Sequence, residues 1–179
     1  MKNYYGYYPY NNYNAPAIGL HLMGNNCCNM YPAGCMNNYH DYGHMGFGDF
    51  GPEPLVINIS NAARINNTFR TALWTGNYFQ VTLVSIDVGE DIGLEIHPNT
   101  DQFLRIEQGQ AIVMMGDSQD FLDFQRWAYP GYAIIIPAGK WHNVVNAGHV
   151  PLKLYSIYAP PQHPRGTVHV TRADAMAAE

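Results

Sequence analysis

Apolar and polar residues alternate in short runs along the chain after Pro54, and these runs are rich in β-branched and aromatic residues. Turn residues such as Gly89-Glu90-Asp91 and Pro130-Gly131 separate many of the runs. Short strands at this spacing are typical of a β-sandwich or barrel. We predict strands over residues 55–59, 69–74, 79–88, 93–97, 102–107, 111–115, 121–128, 132–136, 141–146 and 152–158.

Helical signals are nearly absent until the end of the chain. There Thr171 can cap a helix over residues 172–178, and Asp174 stands three positions later, as in a capping box. The strand pattern is not repeated, so we predict one barrel over residues 51–170 and a short C-terminal helix over residues 171–179.

The first fifty residues follow neither the strand period nor the helix period. They are crowded with Tyr, Asn, Gly and Met, and such a segment cannot bury enough apolar surface to offset its ordering entropy. We therefore predict a disordered, low-complexity tail over residues 1–50, and we expect a chain starting near Gly51 to melt at nearly the same temperature. An alternative is a soft-metal site in this tail, although the spacing fits no zinc pattern; its residues would be Cys27, Cys28, Cys35, His40 and His44.

Charge and hydropathy exclude several classes of partner. Only 13% of the residues are charged, the formal net charge is −5, and no basic patch occurs, so we expect no nucleic-acid partner. The sequence contains no run of about 18 apolar residues, so it predicts no membrane-spanning helix. The start of the chain lacks the apolar region of a signal peptide, so we expect a cytoplasmic protein. The Tyr-rich composition of the tail is similar to that of spore-coat proteins, which makes a spore coat the alternative location.

The most specific motif lies between Gly131 and Asn146. Its fixed positions are Gly131, Pro137, Gly139, His142 and Asn146, and they describe a buried strand, a Pro/Gly turn and a returning strand. Such a turn can direct His142 into the barrel, where a neutral imidazole can bind a metal ion.

A second motif runs from Gly89 to Gly109 and contains Glu95, His97 and Gln102. Glu95 and His97 stand two positions apart on a predicted strand, so both side chains lie on one face. Gln102 follows a turn and can approach the same face. Asn99 is a competing ligand if the spacing is interpreted differently.

Together these motifs resemble the two motifs of the cupin family, with the family spacing kept throughout. Glu95 stands where the family usually has His, and Gln102 stands where it usually has Glu. The resemblance implies an all-β, jelly-roll barrel with one metal ion held by Glu95, His97, Gln102 and His142. Residues 71–160 are similar to the small bacterial single-domain cupins described as mannose-6-phosphate isomerase-like.

One carboxylate, two imidazoles and one amide oxygen suit a divalent Zn, Mn, Fe or Ni ion. Two hypotheses follow from this set. The first is an enzyme that polarises a sugar carbonyl for isomerisation, or binds oxygen beside an organic substrate. The second is a binding or structural protein that uses the barrel as a stable module. We expect a small-molecule substrate, with a sugar as one option, and a homodimer is one assembly open to the chain.

Several other polar residues could line the pocket or face solvent. Gln80 and Thr82 lie two positions apart on one face of a predicted strand. The alternation of residues along the strand does not decide whether that face lines the pocket or meets solvent. Lys140, Arg105 and Lys153 are candidate phosphate binders, although surface positions are common for such residues.

Overall fold

β-Strands dominate the computed structural model, which describes residues 47–178. Nine of the ten predicted strands overlap an observed strand, and the last observed strand was not predicted. The two helices are α1 (Ile59–Ile65) and α2 (Arg172–Met176). The strands are β1 (Arg70–Thr75), β2 (Gln80–Ile86), β3 (Glu95–Ile96), β4 (Asp101–Gln108), β5 (Ala111–Gly116), β6 (Phe124–Ala128), β7 (Ala133–Ile136), β8 (Trp141–Asn146), β9 (Leu152–Ala159) and β10 (Val168–His169).

The strands form two sheets. One sheet has the order β10-β1-β2-β9-β4-β7, and the other has the order β3-β8-β5-β6. Both sheets contribute to one hydrophobic cluster, in which Val84 and Leu104 of the first sheet join Val113 and Val144 of the second. Among the described residues, no strand pairing joins the two sheets into a closed barrel, so the barrel prediction is corrected to a two-sheet jelly-roll arrangement.

Residues 55–59 do not form the predicted strand. The Asn58 side chain accepts a hydrogen bond from the Asn61 backbone N–H at 3.0 Å, and α1 begins at the next residue. Ala62 and Ala63 of α1 pack with Leu83 in a second hydrophobic cluster. The run of β-branched residues favoured a strand, but an N-cap and a pair of small buried alanines determine the structure here. The prediction of a strand over residues 55–59 was therefore wrong, and one short helix precedes the first strand.

Residues 47–50 fall within the predicted tail but contact the six-stranded sheet. The Asp49 carboxylate accepts hydrogen bonds from the backbone N–H and hydroxyl of Thr75 and from the backbone N–H of Gly166. The rest of the predicted tail lies outside the described residues, and so does the alternative soft-metal site; its residues are Cys27, Cys28, Cys35, His40 and His44.

The C-terminal helix begins as the sequence predicts. The Thr171 hydroxyl accepts from the Asp174 backbone N–H at 3.2 Å, and the Asp174 carboxylate accepts from the Thr171 backbone N–H at 2.8 Å. Ala175 is buried in the main hydrophobic cluster, and Arg172 donates to the Asp91 carboxylate at 2.6 Å. The helix is therefore part of the folded unit. Within residues 47–178, neither helix is long and apolar enough to cross a membrane.

Candidate metal centre

Three predicted ligands meet between the two sheets. Glu95 on β3 lies directly opposite His142 on β8, so both side chains are on the same face of the four-stranded sheet. His97 follows two residues after Glu95 and shares its face. One potential ligand atom from each of these residues lies within 4.8 Å of the others, and all three residues are buried. The arrangement could hold a single metal ion.

The Pro/Gly turn between Gly131 and Asn146 is hydrogen-bonded to the backbone of His97 and leads into the strand of His142. Gly139 has a φ of +78°, a left-handed conformation that favours glycine, and its N–H donates to the His97 carbonyl at 2.8 Å. Asp101 fixes the other side of this turn by accepting from the Ala138 N–H at 2.8 Å. The turn thus fixes the backbone of His97 just before the strand that carries His142.

The ring of His142 is oriented by its own backbone. Its Nδ1 lies 2.9 Å from the Lys140 carbonyl oxygen, which can only accept, so Nδ1 carries the proton. In the neutral ring, the Nε2 lone pair then faces the Glu95 Oε1 atom at 3.2 Å. Two lone pairs at this distance repel unless a second proton or a cation lies between them. The tautomer therefore favours a positive charge at this position.

His97 Nε2 lies 3.3 Å from the same Glu95 oxygen. The geometry of this contact does not meet hydrogen-bond criteria, and Nε2 is buried without a hydrogen-bond partner, as is the Glu95 Oε2 atom. Buried polar atoms normally have partners, and an ion is one explanation for exceptions. One carboxylate and two imidazoles form a donor set that fits Zn, Mn, Fe or Ni.

The Glu95 carboxyl group is ionised at neutral pH. Burial alone would raise the pKa of its carboxyl group, but the His142 and His97 rings beside it, which carry positive charge when protonated, lower the pKa to about 2. A carboxylate that stays charged in a buried position is a ligand for a cation rather than a proton shuttle near neutral pH.

Gln102 lies on the other sheet. It pairs with Tyr158 across β4 and β9, and the Tyr158 ring contacts the His97 ring with their centroids 5.6 Å apart. The Gln102 amide donates to the Ser156 hydroxyl at 3.1 Å, whereas its Oε1 atom is buried without a hydrogen-bond partner. An acceptor oxygen is therefore available on this interior face. The competing residue Asn99 is exposed in the loop before β4.

Sequence reasoning missed two residues near this cluster. Arg70 on β1 is only 2% exposed, and its Nη2 atom lies 3.9 Å from the Glu95 Oε2 atom. A charged residue within the apolar run of β1 was the available signal. His163 follows β9, and its ring contacts Tyr158 edge-on with the centroids 5.0 Å apart.

The backbone of His163 is held by Gln80. The Gln80 amide donates to the His163 carbonyl at 3.0 Å and accepts from the His163 N–H at 3.0 Å. Burial, followed by the positive charge of Arg70, lowers the pKa of His163 to about 3, so the ring is neutral at pH 7. Gln80 and Thr82 are both buried, so the face of β2 that carries them points into the interior and not to solvent.

The three candidate phosphate binders are engaged elsewhere. Lys140 forms an ion pair with Asp117, and Arg105 donates to Glu107 at 2.6 Å. Lys153 donates to the Asn66 carbonyl at 2.5 Å. None of these contacts involves the residues of the cluster.

Comparison with known proteins places this arrangement in a family. A model of the cupin domain matches residues 82–158, which include Glu95, His97, Gln102 and His142. The uncharacterized protein YrkC of Bacillus subtilis is 70% identical over 131 residues, covering 73% of this chain and 70% of YrkC. The uncharacterized protein L612 of Acanthamoeba polyphaga mimivirus is 39% identical over 118 residues, covering 65% of this chain and 72% of L612.

The fold is also similar to a solved structure. The crystal structure of BH2720 from Bacillus halodurans has 64% sequence identity and a TM-score of 0.72, and the match covers 73% of this chain and 98% of that one. The architecture described above is therefore found in an experimentally determined relative.

Proposed function

Since the chain belongs to the cupin family, we propose that it binds one divalent metal ion through Glu95, His97 and His142, with Gln102 beside them. The observation that carries this proposal is the convergence of two imidazole nitrogens, at 3.2 and 3.3 Å, on a single buried carboxylate oxygen. A cation placed between these atoms would be bound by all three side chains at once.

The ion would act as a Lewis acid on a small substrate, which is the chemistry that a bound divalent metal supplies in such sites. In this proposal Glu95 is a ligand, because its low pKa makes it a poor base. Gln102 orients a substrate or water through its Oε1 atom, which has no hydrogen-bond partner within the protein. We propose a small-molecule substrate, with sugar-phosphate isomerisation as the first reaction to assay, and a cytoplasmic location.

The first experiment measures metal content. Wild type and the variants His97→Ala, His142→Ala and His149→Ala are purified without chelator and analysed for bound metals. His149 is exposed and lies outside both motifs, so it serves as the matched control. We expect about one equivalent in wild type and in His149→Ala, and loss from the other two. Stoichiometric metal in His142→Ala would contradict the proposal.

The second experiment ranks Glu95 against Gln102. A carboxylate gains far more from a divalent cation than a neutral amide oxygen does. Titration with Mn or Zn should therefore show that Glu95→Gln weakens binding clearly and that Gln102→Ala weakens it less. The paired change Glu95→His with Gln102→Glu should retain the metal. Loss of metal from Gln102→Ala with retention in Glu95→Gln would mean that the motif between Gly89 and Gly109 was aligned wrongly.

The third experiment separates catalysis from binding alone. The metal-loaded protein is assayed with sugar phosphates, and turnover that disappears in His142→Ala would support an isomerase. Stoichiometric metal without turnover on these substrates would favour a non-catalytic binding protein or a different substrate class.

A further inference from the structure

Most side chains on the outer face of the four-stranded sheet are apolar. His142 and Val144 of β8 are fully buried between the two sheets, so the alternation of a strand directs their neighbours outward. The registers of β3, β8, β5 and β6 place eight residues on this outer face, namely Ile96, Ile112, Met114, Gln125, Trp127, Trp141, Asn143 and Val145. Six of the eight are apolar and none is charged, whereas a sheet face that meets water is normally polar.

Two tyrosines extend this face at the end of β6. The Trp127 and Tyr129 rings are inclined by only 14° with their centroids 6.3 Å apart, and the Tyr132 ring lies 5.6 Å from that of Tyr129. The turn that carries both tyrosines is held by two hydrogen bonds. The Tyr132 N–H donates to the Tyr129 carbonyl at 2.9 Å, and the Gly131 N–H donates to the Ile106 carbonyl at 2.8 Å. We call these two tyrosines and the eight residues of the outer face the apolar patch.

The apolar patch takes no part in the core of the molecule. Within residues 47–178, none of its ten residues belongs to a hydrophobic cluster, whereas α1 packs on the outer face of the six-stranded sheet. Trp127, Tyr129 and Tyr132 are 49%, 39% and 53% exposed. Since an aromatic side chain presents about 150–250 Å², these three rings alone leave roughly 300 Å² in water. An exposed apolar surface of this size marks an interaction site.

The size and composition of the patch fit a protein interface. A stable contact buries about 800 Å² on each partner. The three exposed rings and the partly exposed side chains beside them supply much of this area, and a polar rim would supply the remainder. Trp, Tyr and Met are also the residues that are enriched at the centres of interfaces.

The absence of charge favours a second copy of this chain as the partner. A two-fold contact places equivalent residues of the two copies close together, so a charged group near the axis would meet its own copy and repel it. The Gln125 and Asn143 amides each contain a donor and an acceptor, so each is compatible with such a contact. No charged side chain on the patch would select a partner of opposite charge.

We propose that the apolar patch is the interface of a homodimer, in which the four-stranded sheets of two copies pack back to back. The dimer is held by burial of the aromatic and aliphatic side chains, because two chains with a formal net charge of −5 repel each other at a distance. The inference does not depend on the proposed metal site, since Glu95 and His142 lie on the inner face of this sheet.

The test is sedimentation velocity of the full-length protein at about 1 to 100 μM. The variants are Trp127→Glu, which places a charge in the patch, and Trp127→Ala, which only removes the ring. Val168→Glu is the matched control, because Val168 is also 49% exposed but lies on β10 of the other sheet. Circular dichroism checks that each variant is folded, and Trp127→Ala decides the outcome if Trp127→Glu does not fold.

We expect wild type and Val168→Glu to sediment as dimers and Trp127→Glu to sediment as a monomer. Truncation of a central interface residue lowers affinity by roughly 30-fold. The dimer contains this residue twice, so Trp127→Ala should raise the dissociation constant by up to roughly a thousandfold. A wild type that stays monomeric at about 100 μM, or a dimer that persists unchanged in the folded Trp127 variants, would overturn the proposal.

Two further readouts test the apolar character of the interface. Two of the three tryptophans belong to the patch, so the fluorescence emission of wild type should shift to longer wavelength when dilution dissociates the dimer. Raising the salt concentration from about 0.05 to about 0.5 M should leave the dimer intact or strengthen it, because salt screens the repulsion between the two chains. Dissociation by salt would mean that charged contacts hold the dimer, and it would refute this interface.

Discussion

The contact between Arg70 and Glu95 should contribute measurably to the stability of the metal-free protein. The two side chains are 3% and 8% exposed, and their charged atoms are 3.9 Å apart. With an effective dielectric constant of about 20, Coulomb's law gives an attraction of about 4 kcal/mol. Breaking a buried pair by removing one partner costs a similar amount, about 3–5 kcal/mol, because the other charge is left uncompensated.

A double-mutant cycle measures this coupling. The free energy of unfolding by urea is determined at pH 7 in the presence of chelator for wild type, Arg70→Gln, Glu95→Gln and the double variant. We expect each single change to destabilise the protein by about 3 kcal/mol or more, and the double variant to be less destabilised than the two single changes combined. The coupling energy should be about 3–4 kcal/mol.

A surface pair provides the control for the cycle. Lys140 and Asp117 also form an ion pair, but their side chains are 39% and 88% exposed. Their coupling should be below about 1 kcal/mol, because water screens exposed pairs. A coupling below about 1 kcal/mol for Arg70 and Glu95 as well would refute the argument, since it would mean that other groups already compensate both buried charges.

Three further predictions concern other parts of the fold. The pKa of His163 is about 3 in the folded chain and about 6.5 in the unfolded chain. Between these two pH values the unfolded chain binds more protons than the folded chain, so the free energy of unfolding falls as the pH drops below 6.5. The slope of the free energy of unfolding against pH that one histidine contributes is at most about 1.4 kcal/mol per pH unit. Between about pH 6.5 and about 4.5, His163→Gln should reduce this slope, whereas His149→Gln should retain it. Contrary to the expectation from the sequence, a chain starting at residue 51 should unfold about 2 kcal/mol more easily than one starting at residue 47, because it loses the Asp49 hydrogen bonds; equal stability would contradict this. Asn146→Ala should cost about 2–3 kcal/mol in urea unfolding, because the buried Asn146 amide donates to two carbonyl groups and accepts from one N–H.

The residues that the sequence identified are those whose positions depend on local chain geometry. Glu95 and His97 are two residues apart, so the strand period alone places them on one face. His142 follows a Pro/Gly turn that was recognisable from the motif, and the φ of +78° at Gly139 is consistent with such a turn. For these residues, spacing along the chain is sufficient to predict proximity in space.

Arg70 and His163 could not be predicted in this way. Their proximity to Glu95 depends on how β1 and the segment after β9 lie against β3, which is set by packing between two sheets. No spacing within a motif encodes such long-range pairing. The helix α1 was missed for a different reason: the propensity of residues 55–59 favoured a strand, while the capping side chain of Asn58 and the burial of Ala63 favoured a helix.

The central position of β9 has a consequence for synthesis on the ribosome. β9 lies between β2 and β4, so these two earlier strands have no shared partner until β9 has been translated. About 50 residues separate the end of β4 from the end of β9, which corresponds to about 3–10 s at ordinary elongation rates. During that interval the strand edges of the nascent chain are open to other chains, and unpaired edges promote aggregation. Conditions that slow elongation between β4 and β9 should therefore lower the yield of folded protein without changing the stability of the molecules that do fold.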